Sequence, residues 1–586
     1  MVPLETKLLF LLSGRQVTFF IPPYQRNYEW TEEQCKVFLD DVIKTRDANV
    51  AQKNTEHFFG SVTYFESEKS VFGEPSRLIL IDGQQRITTT MLFLAAVRDL
   101  LKDPSKKETI NNDYLKNERV KGTLEYKVKL KQVESDWECY KNIVLGETIN
   151  EEDRNCAVYK NYSGFKNKLE KLASDGQGNV LDEVLISYVK DGLQNFRIVT
   201  LELKPYQNKW ENPQEIFESM NSIGKPLSLA DLVRNYLLLG LDADKQDDLY
   251  HRYWLKIEKT VPGMISTFIR DYMQGIEERP FKQAREANYK ELYSQFKDVF
   301  AGCDAEELLQ SLKKYAATYA YIAKGITTGN AKVDSVLNDL RAVNVTVAYS
   351  FLMMLIQTWV DGTLNTEDLI DSLEAIKVYC YRRRILGITQ AENKSFPLLV
   401  KQIPVILTAT DKKAKTFEIL ASQENNMRLP NDLELTRFLE TMNFYNFKYC
   451  KLFLAMVEEK ITKSRPVLTD KILQVEHIMP QTLNQEWQHE LGSDYNRVHQ
   501  DYVNQIGNLT LIRHNQELGN KDFSTKKDVY SNKAGLQIAK TNITDCEKWN
   551  EASIKARADW MIKTMLEEIF PVPEEMKMIN NYVSMN

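Results

Sequence analysis

"SRLILIDGQQRITTTMLFLAAVRDLLK" (residues 76–102) is the stretch whose reading decides the fold. A branched, apolar run reaches Ile81 and reads as a strand, Asp82-Gly83 reads as a tight turn, and "ITTTMLFLAAVRDLLK" reads as a buried helix. Strand, turn and helix in direct succession point to an α/β unit. Gly83 permits close approach of another group, and the helix start offers unpaired N–H groups to an anion. Arg86 adds a forked phosphate donor, while Gln84 and Gln85 add polar contacts. This local chemistry suits a nucleotide phosphate or a DNA backbone. The plainer alternative is a turn in which Asp82 caps the helix.

Working outward, "HFFGSVTYFE" (57–66) and "FRIVTLEL" (196–203) read as further strands. In "IPPYQRNYEW" (21–30), Pro22-Pro23 stiffens an extended backbone that presents Tyr24, Gln25 and Arg26. The other reading is an aromatic core corner with Arg26 paired internally. "PLSLADLVRNYLLLGL" (226–241) places Ser228 and Asp231 at capping-box spacing ahead of an apolar helix. "SIGKPLS" (222–228) lacks the spacing of a Walker A loop, so Lys225 carries little weight.

With 586 residues the chain exceeds one core, and its 43% hydrophobic content is that of a globular protein. The longest apolar run, "VAYSFLMMLIQTWV" (347–360), is too short for a bilayer, so a cytoplasmic location without a membrane partner is expected. Seven scattered cysteines with no CxxC pair argue against a disulfide framework and a zinc ribbon. A net charge of −6 offers no bulk support for nucleic-acid binding, although local cations suffice for it. From about 245 to 460 the pattern is almost wholly helical. There Arg382-Arg383-Arg384 reads either as a DNA-facing patch or, more commonly, as a salt-bridged helix face.

Four of the six histidines (477, 489, 499, 514) fall within residues 477–514. Taken alone, His477 in "VEHIMPQT" (475–482) reads as a core histidine. Its company alters that reading: Asn508 in "IGNLTLI" (506–512), His514-Asn515, and Asn520-Lys521 in "LGNKDFSTKK" (518–527). Glu476-His477 ends one strand, "NLTLI" forms a second, and "HNQELGNKD" opens the turn or helix that follows.

These three motifs resemble the HNH (ββα-metal) nuclease domain known as domain of unknown function 1524, over about 450–570 and including the closing "WN…I..R" helix. "IPPYQRNYEW", "HFFGSV", "DGQQR" and "EIFESMNSIGKPLSLADLVRNYLL" (215–238) resemble the domain of unknown function 262, of ParB/sulfiredoxin-like fold. "YRRRILGITQAENKSF" (381–396) is similar to the helical segment joining the two. The pairing is that of GmrSD-type modification-dependent (type IV) restriction endonucleases.

The resemblance implies a predominantly helical α+β protein in three parts. These are a ParB-like α/β domain (1–240) that binds NTP and senses DNA modification, a helical linker domain (241–445), and an HNH nuclease domain (446–586) within a helical surround. It makes His477 the general base, with Asn508 and Asn515 in the catalytic set. Glu476, Asn515 and Asn520 become metal ligands, and His514 competes with Asn520 for the last position. The metal is Mg²⁺ or Mn²⁺. Lys521, Lys526 and Lys527 face DNA phosphates. Asp82, Gly83, Gln84, Gln85 and Arg86 serve the NTP, with GTP, ATP, CTP and UTP all open. Tyr24, Gln25 and Arg26 face nucleotide or modified DNA. His489 and His499 read as surface residues.

The implied function is metal-dependent cutting of modified double-stranded phage DNA, gated by NTP, with a homodimer left open. The alternatives are a phosphorothioate-sensing nickase with NTPase activity and a nucleotide-regulated DNA-binding sensor whose nuclease domain is inactive.

Overall fold

The computed structural model describes residues 2–13, 17–67, 75–117, 124–208, 211, 213, 215–216, 227–239, 241, 243–388, 392–423, 427–513 and 518–574. His514, Asn515 and Lys225 lie outside the described residues. Two compact units divide the chain, Met1–Lys259 with Ala284–Ser311 and Thr260–Gln283 with Leu312–Asn586. The helical stretch expected over 241–445 is thus shared between the two units.

The first unit holds a mixed six-stranded sheet. Its strands are β1 (Val2–Lys7), β2 (Val17–Phe20), β3 (His57–Glu66), β4 (Ser76–Asp82), β5 (Leu130–Lys131) and β6 (Phe196–Leu203), in the order β1-β6-β3-β4-β2-β5. β4 runs parallel to β2 and antiparallel to β3, while β3 runs parallel to β6. The principal helices here are α1 (Glu32–Val50), α2 (Gln84–Leu100), α3 (Glu134–Leu145), α4 (Ala157–Ala173) and α5 (Leu229–Leu238).

The opening stretch folds as read, β4 passing through Gly83 into α2. Leu78 and Leu80 point into the core beside α2. Arg77 and Ile79 alternate to the other face and line a cavity. α2 is buried on every face from Ile87 to Arg98 because it is enclosed on more than one side. Phe93 packs edge-on against Phe38 of α1 and Phe165 of α4, at 5.7 and 5.8 Å between ring centres. The Ser228–Asp231 capping box forms at the start of α5: Ser228 Oγ accepts from the Asp231 amide, and the Asp231 carboxylate accepts from the Ser228 amide.

The second unit is helical around a two-stranded hairpin. It contains α6 (Tyr349–Val360), α7 (Thr366–Ile385), α8 (Cys450–Thr462), β7 (Gln474–His477), β8 (Leu509–Ile512), α9 (Phe523–Asn532) and α10 (Glu551–Lys563). The whole is therefore a predominantly helical α+β protein. The arginine triplet of α7 is no surface patch, since Arg382, Arg383 and Arg384 are 0%, 0% and 8% exposed. Arg382 bonds the Phe570 carbonyl at 2.8 and 2.7 Å and pairs with Asp432 at 2.7 Å. Arg383 and Arg384 donate to the carbonyls of Arg428 and Val343. Burial of a charge is tolerated when backbone carbonyls and a carboxylate take its N–H groups, as they do here. Among the described residues, no helix is long and apolar enough to cross a membrane.

Candidate functional site

β7 and β8 pair antiparallel, with Glu476 opposite Thr510 and His477 opposite Leu509. Val475 and Leu511, Glu476 and Thr510 alternate across this short ladder, so adjacent side chains leave opposite faces. Glu476, 5% exposed, accepts a 2.7 Å bond from Lys526 Nζ of α9, and the Tyr530 hydroxyl lies at 3.4 Å. Lys526 is fully buried and also donates to the His477 carbonyl at 2.7 Å. Expected at a DNA phosphate, it instead anchors the strand that carries the histidine. Burial lowers the Lys526 pKa, and the Glu476 carboxylate opposes that shift.

His477 itself is 8% exposed, its ring centre 4.4 Å from that of Tyr445. Asn504 Oδ1 stands 3.1 Å from Nε2. An acceptor at that nitrogen keeps the proton on Nε2 and leaves Nδ1 bare. Burial lowers the His477 pKa below its ordinary value; Lys526 and His499 push the same way, and the Asn504 bond opposes them. The imidazole is therefore neutral at physiological pH.

Asn508 is wholly buried. Its Oδ1 accepts from the Met479 amide at 2.7 Å and from Trp549 Nε1 at 3.0 Å. Its Nδ2 donates to the carbonyls of Met479 and Val503 at 2.9 and 2.8 Å. These bonds fix the turn after His477. Arg557 of α10 clamps the other side, donating to the carbonyls of Gly507, Leu509 and Ile538. Burial pushes the Arg557 pKa down to about 9. Asn520 and Lys521 are exposed, and Lys527 is half-buried with Nζ on the Cys546 carbonyl at 2.8 Å. His489 is exposed, whereas His499 is half-buried and bonds the Pro480 carbonyl at 3.0 Å.

In the first unit, the two N-terminal motifs meet. Gln85 Oε1 accepts from the amides of Glu29 and Trp30 at 2.9 and 3.3 Å, and its Nε2 donates to the Asn27 carbonyl at 3.0 Å. Gln25 returns a bond to the Ile81 carbonyl at 3.1 Å. Arg234 donates to the Tyr24 carbonyl, so α5 holds the backbone at Tyr24, and burial raises the pKa of the Tyr24 hydroxyl. Arg26 is paired with Glu29 at 3.4 Å. Arg86 reaches the Ser61 carbonyl at 2.6 Å and Asp82 at 3.4 Å. Two glycines make that possible. Gly83 caps α2 at φ +95°, and a Cβ on Gly60 (φ +111°) would stand 2.9 Å from Arg86 Nε. Asp136 of α3 takes the Tyr28 amide at 2.6 Å, and its burial raises its pKa to about 6.

A comparison with known protein families matches residues 8–238 to the N-terminal domain of the GmrSD restriction endonuclease. It matches residues 429–564 to the C-terminal domain of the GmrSD restriction endonucleases. The chain belongs to the GmrSD restriction endonucleases. Among curated proteins, none matches it. The GmrSD-type (type IV) assignment makes the chain a hydrolase with DNA as its substrate.

A nuclease of the GmrSD family implies a metal ion. The described residues do not by themselves fit one. Glu476 is buried and neutralised by Lys526, and no group of three or more His, Cys, Asp or Glu stands together among them. At the N-terminal motifs, Gln84 Oε1 is buried without a hydrogen-bond partner, an acceptor left open to a donor group. Beside them, an open cavity of about 1060 Å³ is lined by Phe20, Pro22, Phe65, Arg77, Lys131 and Tyr206 among others. Tyr24, Gln25 and Arg26 are not in its lining. Sequence reading missed Asn504, Tyr445, Gly60 and Asp136. Only Gly60, a glycine inside a strand pattern, carried a signal for a close approach.

Proposed function

We propose that this GmrSD-type endonuclease cuts modified double-stranded DNA with His477 as general base, and that NTP at Asp82–Arg86 licenses the cut. The observation that carries the reading is the fixing of His477 from two sides. Lys526 holds its carbonyl, Asn504 holds Nε2, and burial keeps the ring neutral. A water placed at the bare Nδ1 can give up its proton there as it attacks phosphorus. Asn508 acts by holding the "HIMP" turn, so it is a positioning residue.

Lys521 is the exposed cation suited to a phosphate. Glu476 is assigned to Lys526 rather than to the cation. Mg²⁺ or Mn²⁺ would supply charge neutralisation at the leaving oxygen, and Asn515 and Asn520 are kept from the sequence reading as its ligands.

In the N-terminal domain, with its ParB-like reading, Gln84 Oε1 offers a free acceptor and Arg86 a partly exposed guanidinium. Gln85 and Gln25 hold the two motifs together rather than facing the nucleotide. The neighbouring cavity, lined by Phe20, Phe65 and Tyr206, the cations Arg77 and Lys131 and five carboxylates, is the place assigned to the modified base.

The test is His477→Ala, assayed on modified phage DNA with Mg²⁺ or Mn²⁺ and each NTP in turn. Cutting should fall at least about a hundredfold while NTP turnover persists. Undiminished cutting would remove the general base. DNA binding by the wild-type chain with no nicking under any of these conditions would favour the sensor with an inactive nuclease domain.

A further inference from the structure

Cys139 in α3 and Cys156 at the start of α4 bring their sulfurs to 3.1 Å, sharing a hydrogen bond. The two residues are 17 apart in sequence and both are free thiols. A disulfide needs about 2.05 Å, so closure asks each sulfur to move by roughly half an ångström. Cys156 is the N-cap of α4, and its Sγ accepts from the Tyr159 amide at 3.4 Å. It is partly exposed, while Cys139 behind it is buried.

The two thiols are not alike. The Cys156 thiol is pushed down by the hydrogen bond it shares with Cys139, with burial opposing and the Tyr159 and Val158 amides assisting. The Cys139 thiol is pushed up by the same shared bond and by burial. One accessible, thiolate-prone sulfur backed by a second buried one is the arrangement of a redox-sensing pair.

We propose that Cys139 and Cys156 are a reversible dithiol–disulfide site, oxidised by hydrogen peroxide. The Cys156 thiol ionises and its thiolate attacks one peroxide oxygen; the O–O bond breaks, and the departing hydroxide takes up the proton the thiol released, so that a sulfenic acid and one water form. Cys139 sulfur then attacks Cys156 sulfur. The S–S bond forms, the S–O bond breaks, and the second water leaves with the Cys139 proton. Two electrons pass from the two sulfurs to the peroxide, which becomes two waters.

The site has a lever. Asp136, on the same helix as Cys139, holds the Tyr28 amide, and Asn161, on the helix that Cys156 caps, donates to the Trp30 carbonyl at 2.6 Å. Closing the disulfide fastens together the two helices that hold the "YQRNYEW" stretch.

The experiment uses the full chain, treated with hydrogen peroxide at a few equivalents, quenched with N-ethylmaleimide and digested. A Cys139–Cys156 cross-linked peptide should appear, reversed by dithiothreitol, with the other cysteines alkylated. Hydrogen exchange of the Tyr28 amide, which Asp136 holds, should slow by severalfold in the oxidised chain. In Cys139→Ser, a dimedone adduct should accumulate on Cys156. Full alkylation of both thiols after peroxide, or pairing of Cys156 with another cysteine, would overturn the site. Unchanged exchange at Tyr28 would overturn the lever.

Discussion

The Gln85 cluster and the His477 hairpin solve one problem with different materials. Each must hold a functional stretch of backbone against a strand–turn–helix or strand–turn–strand frame. Around Gln85 most of the ties are neutral amides, Gln85 to residues 27–30, Gln25 to Ile81 and Asn161 to Trp30, with the Asp136 carboxylate added at the Tyr28 amide and Arg234 at the Tyr24 carbonyl. Around His477 the central tie is a buried ion pair, Lys526–Glu476, with the buried cation Arg557 across the hairpin. A neutral bond that is lost leaves one unsatisfied group, whereas a buried charge that loses its partner is stranded in a low-dielectric interior. The hairpin should therefore be the more brittle of the two regions, and the more rigid.

The sharpest break is at the ion pair. Lys526→Met or Glu476→Leu alone should each destabilise the second unit by about 3–5 kcal/mol, while the double variant recovers most of that loss. Urea titrations followed at the unit's tryptophans read the difference; equal losses for single and double variants would refute the pairing. Divalent-cation affinity of Glu476→Gln, measured by calorimetry, should match the wild type, because the carboxylate serves Lys526.

Next in size, Arg557→Met should cost about 3 kcal/mol, since the carbonyls of Gly507, Leu509 and Ile538 lose a charged donor. On the amide side, Gln85→Leu should cost about 2 kcal/mol in the first unit. Thermal scans should show the second unit's transition unmoved, and NTP turnover should fall because residues 27–30 are released.

The smallest effect is a pH shift. Burial depresses the His477 pKa, so the acid limb of the cleavage rate should lie below the ordinary value of 6.5. The unfolded chain binds the proton more readily, so this contribution to stability is present above 6.5 and is lost as pH falls toward the folded value. Asn504→Asp places a carboxylate beside Nε2 and should raise that limb by about one unit. A pH–rate profile that does not move would remove Asn504 from the ring's environment.

Much of the local structure was legible in the residues. "HFFGSVTYFE" and "FRIVTLEL" are the strands 57–66 and 196–203, and the capping box at Ser228 and Asp231 forms as spaced. Periodicity and capping act over a few residues, so the chain states them directly. The partners of polar groups were not legible. Lys526 looked like a cation for DNA, Arg382–Arg384 like a charged helix face, and Gln85 like a ligand contact. Each is bound to groups far away in the chain, Lys526 fifty residues from Glu476 and Gln85 more than fifty from Glu29.

By itself, the order of motifs determined the family, the succession of strand, turn and helix after residue 76, and the proximity of His477 to a second strand at 509–512. Only the tertiary structure decided which polar residues face solvent and which hold the frame. The physical reason is that a buried donor or charge must find its partner wherever packing brings one. For Lys526 that partner is set by where α9 lies across the hairpin, which no local pattern around residue 526 encodes.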